Sequence, residues 1–324
     1  MTFLVSLPRP FTALAPMEDI TDTVFRQVVI RCGRPNLFFT EFVSVEGLFS
    51  AGYDAVSHRL NYSPVEKPII AQIWGKTPEK FFQAAKYIRE LGFDGVDINM
   101  GCSVPKVIKS GCCSALINNK PLAKEIFCAT KEGAGDLPVS IKTRIGFLER
   151  KTEEWGDFLL DLQPDLLTIH GRTAKEQFRY SADWEEIAKV VELRNAKQSK
   201  TLIIGNGDVV NYSDIQHKAV CYGVDGVMLG RGILSNIYAF NSNVDSNFFI
   251  TQKRIELLLY HLRLFNTVWG EKKNYSNIKK YVRTYISNME GAPTLRNLLM
   301  QTNSLMEAET VLKKWCNEHC IKYS

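Results

Sequence analysis

Asp97-Ile98-Asn99-Met100-Gly101-Cys102 is an apolar strand that runs into a glycine turn and presents a thiol there. Two chemistries are open to such a cysteine: a low-pKa nucleophile, or an intact thiol acting as general acid. The second suits a carbon centre that takes hydride on one atom and a proton on the next. A buried, inert cysteine is the bland alternative, because free cysteines are often core residues.

Other apolar runs end in polar residues as well. In chain order these are Pro16-Met17-Glu18, Glu41, Gln72, Asn99, Lys142 with Arg144, His170, Asn206-Gly207-Asp208 and Gly230-Arg231. Lys142 facing a conjugated ring would place positive charge beside atoms that become electron-rich on reduction. An ion pair with Asp97 would occupy it equally well, and His170 could serve as a structural hydrogen-bonder. Gly205-Asn206-Gly207-Asp208 and Gly230-Arg231-Gly232 close the last two runs. Glycines there let backbone N–H groups approach a phosphate, and Arg231 adds charge.

Eight apolar or β-branched runs must hold these groups: 11–17, 37–43, 69–74, 95–100, 139–146, 166–171, 201–207 and 226–232. Helical patterns separate most of them. The clearest is Pro78–Leu91, with Thr77 as N-cap and Phe81, Phe82, Ala85, Ile88 and Leu91 on one face. Continuous apolar strands alternating with helices predict parallel strands covered on both faces, and eight such units predict a (β/α)8 TIM barrel. A doubly wound open sheet is the alternative. In a barrel the strand ends share one mouth, which is where active sites of this fold lie.

After Gly232 the pattern turns helical. Gln252–Phe265 carries Ile255, Leu258, Leu259, Leu262 and Phe265 as a buried stripe. Asn277–Met289 reads as helical, and Ser304-Leu305-Met306-Glu307 reads as a capping box opening a helix through Trp315. With a linker at 241–247, the expected domains are a catalytic barrel over 1–242 and a small all-helical domain over 243–324. From Thr251 onward there are 12 Lys and Arg against 6 Asp and Glu, while the rest of the chain has 28 against 29. The positive excess therefore sits in the last quarter, as in an appended module that meets a polyanion.

The 324 residues hold 45% apolar and 23% charged residues, ordinary for a globular protein. No run of about 18 apolar residues is present, so no membrane span is expected. The N-terminus lacks the basic region of a signal peptide, which predicts a cytoplasmic protein. The eight cysteines read as reduced thiols. Neither Cys316-x-x-x-Cys320 nor Cys112-Cys113 has zinc-site spacing, so no metal is expected.

Taken in order, Ala15-Pro16-Met17-Glu18-Asp19-Ile20-Thr21-Asp22, Asp97–Cys102, Ser140-Ile141-Lys142-Thr143-Arg144, Ile169-His170-Gly171-Arg172-Thr173, Gly205–Asp208 and Leu229–Gly232 resemble the tRNA-dihydrouridine synthase family. The tail resembles that family's helical tRNA-binding domain through its basic helices and Asn288-Met289-Glu290-Gly291-Ala292. The resemblance implies FMN as cofactor, NADPH (or NADH) as reductant and a uridine of the tRNA D-loop as substrate. It implies that Pro16, Met17 and Glu18 lie against the flavin and that Gln72 bonds its ring. Lys142 and His170 would face the isoalloxazine or ribityl region, and Asn206, Gly207, Asp208, Gly230 and Arg231 would hold the phosphate. Cys102 would protonate C5 of uracil as hydride from flavin N5 reaches C6. Asn99 would touch the target base, and Arg144 would partner base or RNA. The tRNA would be gripped at its D-loop and elbow by the basic helices, with the protein acting as a monomer.

The target base must leave its stack to lie on the flavin, which requires a pocket and a grip on the surrounding RNA. An acid for C5 must hold its proton at neutral pH, so Cys102 is expected near or above the free-thiol value of ~8.5. The chain departs from the family pattern in two places. Ser103 stands where proline usually follows the cysteine, and Gly111-Cys112-Cys113-Ser114 has cysteines where glycines are usual. A flavin enzyme reducing a free pyrimidine or other small ring is a second reading, and the basic tail argues against it. A non-catalytic RNA-binding protein with a vestigial barrel is a third, and it leaves Cys102, Lys142 and His170 without a task.

Overall fold

The computed structural model describes residues 3–243 and 250–322. Nine parallel strands form one sheet: β1 (Phe11–Leu14), β2 (Leu37–Phe39), β3 (Val43–Ser44), β4 (Ile69–Trp74), β5 (Gly95–Met100), β6 (Val139–Arg144), β7 (Leu166–His170), β8 (Leu202–Asn206) and β9 (Gly226–Leu229). β1 pairs with β9 through Phe11↔Gly226 to Leu14↔Leu229, and β2 pairs with β4 through Phe38↔Ile69 and Phe39↔Ile70. Those pairings close β1, β2 and β4–β9 into an eight-stranded barrel, with two-residue β3 added along β4. The open sheet is thereby excluded. All eight expected runs are barrel strands, several one to three residues shorter at the C-terminal end, where the chain leaves the ladder to form the mouth.

Continuous burial explains the continuous apolar sequence: every residue of β1, β2, β5 and β9 is buried. Leu4, Phe11, Leu37, Phe39, Ile70, Leu166, Ile204 and Met228 belong to one core cluster. Gly226 is part of that fit, since a Cβ there would lie 2.7 Å from the Phe11 ring.

The helix expected at Pro78–Leu91 spans Pro78–Glu90, and the Thr77 side chain makes no cap bond. Its buried face is Phe81, Ala84, Ala85 and Ile88, so the stripe is turned from the expected one and Leu91 is exposed. The helix Lys120–Ala134 packs closely on it at Gly133, where a Cβ would stand 2.2 Å from the Phe82 carbonyl oxygen.

The chain divides into two compact units, residues 1–23 with 35–232 and residues 24–34 with 233–324. In the second unit the helix Thr251–Trp269 buries the predicted Ile255, Leu258, Leu259, Leu262 and Phe265. Phe25, from the helix Thr23–Cys32, stacks on Tyr281 with ring centroids 4.9 Å apart. His261 Nδ1 and Tyr285 Oη are 2.7 Å apart in the same buried cluster. The expected helix 277–289 is instead a 3-10 segment, Tyr275–Tyr281, and one turn, Val282–Tyr285. Ile278 and Tyr281, three residues apart, both point inward, which suits the threefold repeat of a 3-10 turn. Ser304 caps the helix Leu305–Glu318 by accepting from the Glu307 N–H, but the Glu307 carboxylate accepts from Asn303, so the box is incomplete. Residues 244–249 of the expected linker lie outside the described residues.

Candidate active site

Cys102 follows β5 directly and is half-exposed at the strand mouth. Its turn is held from behind. Asn99 Oδ1 accepts the backbone N–H groups of Gly101 at 3.0 Å and Cys102 at 2.9 Å. Asn99 Nδ2 donates to Gln72 Oε1 at 2.9 Å, and Gln72 Nε2 donates to Asp97 Oδ2 at 2.6 Å. Ser140 Oγ donates to the other Asp97 oxygen at 2.5 Å. Asp97 and Gln72 are fully buried. Burial pushes the Asp97 carboxyl up to about 6, with the Ser140 and Gln72 hydrogen bonds and the Lys142 charge opposing it. Arg144 grips the same turn from β6, donating through Nε to the Gly101 carbonyl at 2.7 Å and through Nη1 to Thr173 at 3.1 Å.

Positive charge gathers at the ends of β6–β9. Burial, reinforced by Arg144, lowers Lys142 to about 8 against the pull of Asp97 and Cys102. Its Nζ donates to Asn206 Oδ1 at 3.2 Å, a neutral partner rather than the Asp97 carboxylate. Burial and the charges of Arg144, Lys142, Arg172 and Arg231 hold His170 far below its usual range, so it is neutral at pH 7. His170 Nε2 lies 3.2 Å from Arg172 Nη1. Arg231 is exposed and sits 3.9 Å above the Phe178 ring.

The two glycine turns differ in what they leave open. Gly207 has φ 132°, and a Cβ there would lie 2.4 Å from Ala182 Cβ. A Cβ on Gly205 would lie 2.2 Å from the Trp184 ring, whose Nε1 donates to the Gly207 carbonyl at 2.9 Å. At Gly230 the nearest atom to a Cβ is Ala15 Cβ at 3.8 Å, which leaves that turn clear. Asp208 adopts φ 50°, and its carboxylate accepts from both Arg172 (2.6–2.7 Å) and the Ala182 N–H. Its negative charge is thus spent on orienting Arg172, which is 3% exposed. At the opposite rim, Glu18 pairs with Arg59 at 3.0 Å, and Pro16 and Met17 precede it in the β1 exit loop.

Cys102 titrates lower than its sequence context predicts. Its thiol is held at about 7 rather than near or above the free value. The largest cause is a hydrogen bond from the Cys113 thiol; burial opposes it, the Val104 N–H and Arg144 assist, and Glu18 opposes. Burial pushes Cys113 itself well up, so that thiol keeps its proton.

A family model described as "Dihydrouridine synthase" matches residues 13–321. The chain belongs to the dihydrouridine synthase family. Membership makes it an oxidoreductase of that family, with the barrel mouth as its reaction centre. Among curated relatives, a "Probable tRNA-dihydrouridine synthase" of Staphylococcus aureus (strain COL) is 41% identical over 318 residues, covering 97% of this chain and 95% of the relative. "Probable tRNA-dihydrouridine synthase 2" of Bacillus subtilis (strain 168) is 41% identical over 315 residues, covering 96% and 95%. In fold the chain is similar to a 2-naphthoyl-CoA reductase (TM-score 0.55, 12% identity, 71% of this chain and 49% of that one). It is likewise similar to 6-hydroxypseudooxynicotine amine oxidase from Pseudomonas geniculata N1 (TM-score 0.52, 10% identity, 71% and 46%). At those identities the likeness speaks to the barrel only.

Gln72, Asn99, Cys102, Lys142, Arg144, His170 and Asn206 end neighbouring strands and are joined directly or through one intermediary. Arg172, Asp97 and Cys113 were not singled out from the sequence as site residues. Arg172 stood in view beside His170, two positions on. Asp97 reads as a strand residue until its barrel-facing register is known, and nothing in the spacing of Cys113 announces its contact with Cys102. Among the described residues no group of three or more His, Cys, Asp or Glu could hold a metal. No described helix is long and apolar enough to cross a membrane.

Proposed function

We propose that the protein reduces the C5–C6 bond of uridines in the tRNA D-loop to 5,6-dihydrouridine, with FMN as bound cofactor, NADPH as reductant and Cys102 as the acid for C5. The observation that carries this reading is Cys102 itself: a half-exposed thiol fixed at the barrel mouth by Asn99 and Arg144, one strand from Lys142.

The residues present fit a flavin mononucleotide. Lys142 is a cation whose hydrogen-bond partner is a neutral amide, so it retains charge for an electron-rich ring. Gly230 leaves its turn clear for a phosphate, with Arg231 next in sequence. Arg172 and neutral His170 complete an electropositive wall that favours an anion. When bound, the flavin supplies hydride for the uracil ring. Lys142 and Asn206 would hold its ring and ribityl region, while Gly207, Gly230 and Arg231 would face the phosphate and Asp208 would keep Arg172 in place. Pro16, Met17 and Glu18 would border it from the β1 side, with Gln72 below.

Cys102 donates its proton to C5, and the sulfur keeps the S–H bonding pair as thiolate. An acid titrating near 7 holds its proton on about half of the molecules at neutral pH and releases it readily in the transition state. Asn99 and Arg144 act on the turn that carries this thiol; their remaining N–H groups face the base. The lysine-rich segment at 272–283 would contact phosphates, giving affinity without base specificity.

The test is to incubate the purified protein with unmodified tRNA and NADPH and to quantify dihydrouridine by mass spectrometry, beside a free-uridine control. Product in tRNA and none from uridine is expected. Cys102→Ala should lose the product while its bound flavin is still reduced by NADPH at the wild-type rate. Undiminished product from Cys102→Ala removes the thiol from the reaction.

A further inference from the structure

Cys113 is the most unusual residue near the mouth. It is fully buried, and it adopts φ 54°, a left-handed conformation that a side chain with a Cβ rarely takes and that glycine takes freely. Nothing in packing alone requires a thiol there. The 3-10 segment Cys113–Asn118 is tied to the Cys102 loop by the Ser114 N–H, which donates to the Cys102 carbonyl at 3.4 Å. Its side chain is then brought against Cys102, and the two thiols hydrogen-bond while both remain free. A non-glycine residue held at positive φ is a strain that persists where the surroundings over-determine it, and such positions cluster at functional sites.

We propose that Cys113 is a positioning residue for the reducing step: its S–H donates to the Cys102 sulfur and stabilises the thiolate left when Cys102 surrenders its proton. The inference rests on the reading of Cys102 as the acid. In that step the Cys102 S–H bond breaks and the C5–H bond forms from the electron pair at C5. The negative charge comes to rest on Cys102 sulfur, and the Cys113 proton stays on Cys113. A donor that is stronger toward the thiolate than toward the thiol lowers the barrier to transfer. Charge-assisted hydrogen bonds are about twice as strong as neutral ones, which gives the contact its leverage. Cys113 suits the part because burial keeps its own proton in place.

The other charged and titratable groups bearing on Cys102 are Glu18 from the β1 loop, Arg144 and Lys142 from β6, and Cys112 beside Cys113. Glu18 acts against the thiolate, whereas the two cations act for it without a direct bond to sulfur. The direct contact that can be removed without disturbing the turn is the Cys113 thiol. Glycine is the natural replacement, since it accepts φ 54° and removes the donor together with the strain.

The experiment follows alkylation of Cys102 by iodoacetamide against pH in the full chain, read on the Cys102 peptide by mass spectrometry so that exposed Cys128, Cys221 and Cys320 do not interfere. The wild-type midpoint is expected near 7. In Cys113→Gly it should rise by about one to two pH units, toward the free-thiol value. Cys113→Ser, which restores an O–H donor, should keep a midpoint below that of the glycine variant. A wild-type midpoint already at the free value, an unchanged midpoint in Cys113→Gly, or equal midpoints in the two variants would overturn the proposal. The readout needs neither flavin nor tRNA. Should Cys102→Ala still form dihydrouridine, the acid assignment falls, and the alkylation profile still reports whether the two thiols are coupled.

Discussion

The carboxamide oxygen of Asn99 accepts the backbone N–H of Cys102 at 2.9 Å, so the residue that ends β5 also sets the direction of the thiol three positions on. Because Asn99 Nδ2 is bonded to Gln72 and Gln72 to Asp97, the turn is anchored to the fully buried floor of the barrel. Asn99→Ala frees the turn and leaves Gln72 Oε1 without that donor. A loss of about 1–3 kcal/mol in denaturant unfolding is expected. Dihydrouridine formation should fall by roughly 10²-fold, the scale of a misplaced reacting group. Wild-type turnover in Asn99→Ala would mean that the turn holds itself.

Asp208 and Arg172 form a second such support. Asp208→Ala leaves a guanidinium that is 3% exposed facing His170 and the carbonyl of Tyr180 without its carboxylate. Stability should drop by about 1–3 kcal/mol, less than for a fully buried pair because Asp208 itself is partly exposed. Flavin affinity, measured by fluorescence titration of the stripped protein, should weaken with it. Equal affinity in Asp208→Ala and wild type would separate this pair from the cofactor site.

Lys142 gives a pH dependence with a definite sign. Its folded-state value is depressed to about 8 from 10.5. The unfolded chain therefore holds the extra proton between those values, and the stability contributed by this group rises as pH climbs from 8 to 10.5. Affinity for flavin mononucleotide moves the opposite way, falling as the charge is lost above pH 8. Lys142→Met should flatten both trends. Denaturant melts and flavin titrations at pH 7.5 and 10 measure the two.

Gly205→Ala tests the packing behind the phosphate turn. The added methyl meets the Trp184 ring at 2.2 Å and must displace an indole whose N–H holds the Gly207 carbonyl. Overpacking of this kind costs about 1–3 kcal/mol, seen as a lowered melting temperature. Gly230→Ala, with clear space at its Cβ, should melt with the wild type and lose flavin affinity alone.

The barrel was legible because its signal is repeated eight times: each strand is a short apolar run ending in polar or glycine residues, and burial on both faces makes the pattern continuous. Strand-end residues such as Lys142, His170 and Asn206 were legible for the same reason, since parallel strands must end on one side. What each side chain bonds to was not. Asp97 and Asn99 alternate along one strand with Ile98 between, and only the register with Ser140 and Lys142 shows that their face meets Gln72. Arg144, read as a partner for base or RNA, spends two N–H groups on backbone carbonyls of the mouth. The lowered titration of Cys102 was hidden because its cause lies eleven residues away, in a contact made by a left-handed backbone that sequence spacing does not encode. The 277–289 segment read as one helix because 3.6 and 3.0 repeats differ little over so short a span.

The stretch 24–34 sits in sequence between the first two barrel strands, yet it packs with residues 233–324, through Phe25 on Tyr281 and Arg31 over the Tyr260 ring. Its apolar side therefore waits for partners that leave the ribosome last. A gene cut after Gly232 would release a polypeptide whose earliest crossover is naked, so excising the catalytic half for separate expression should yield aggregates unless that helix is redesigned or the missing piece is supplied in trans.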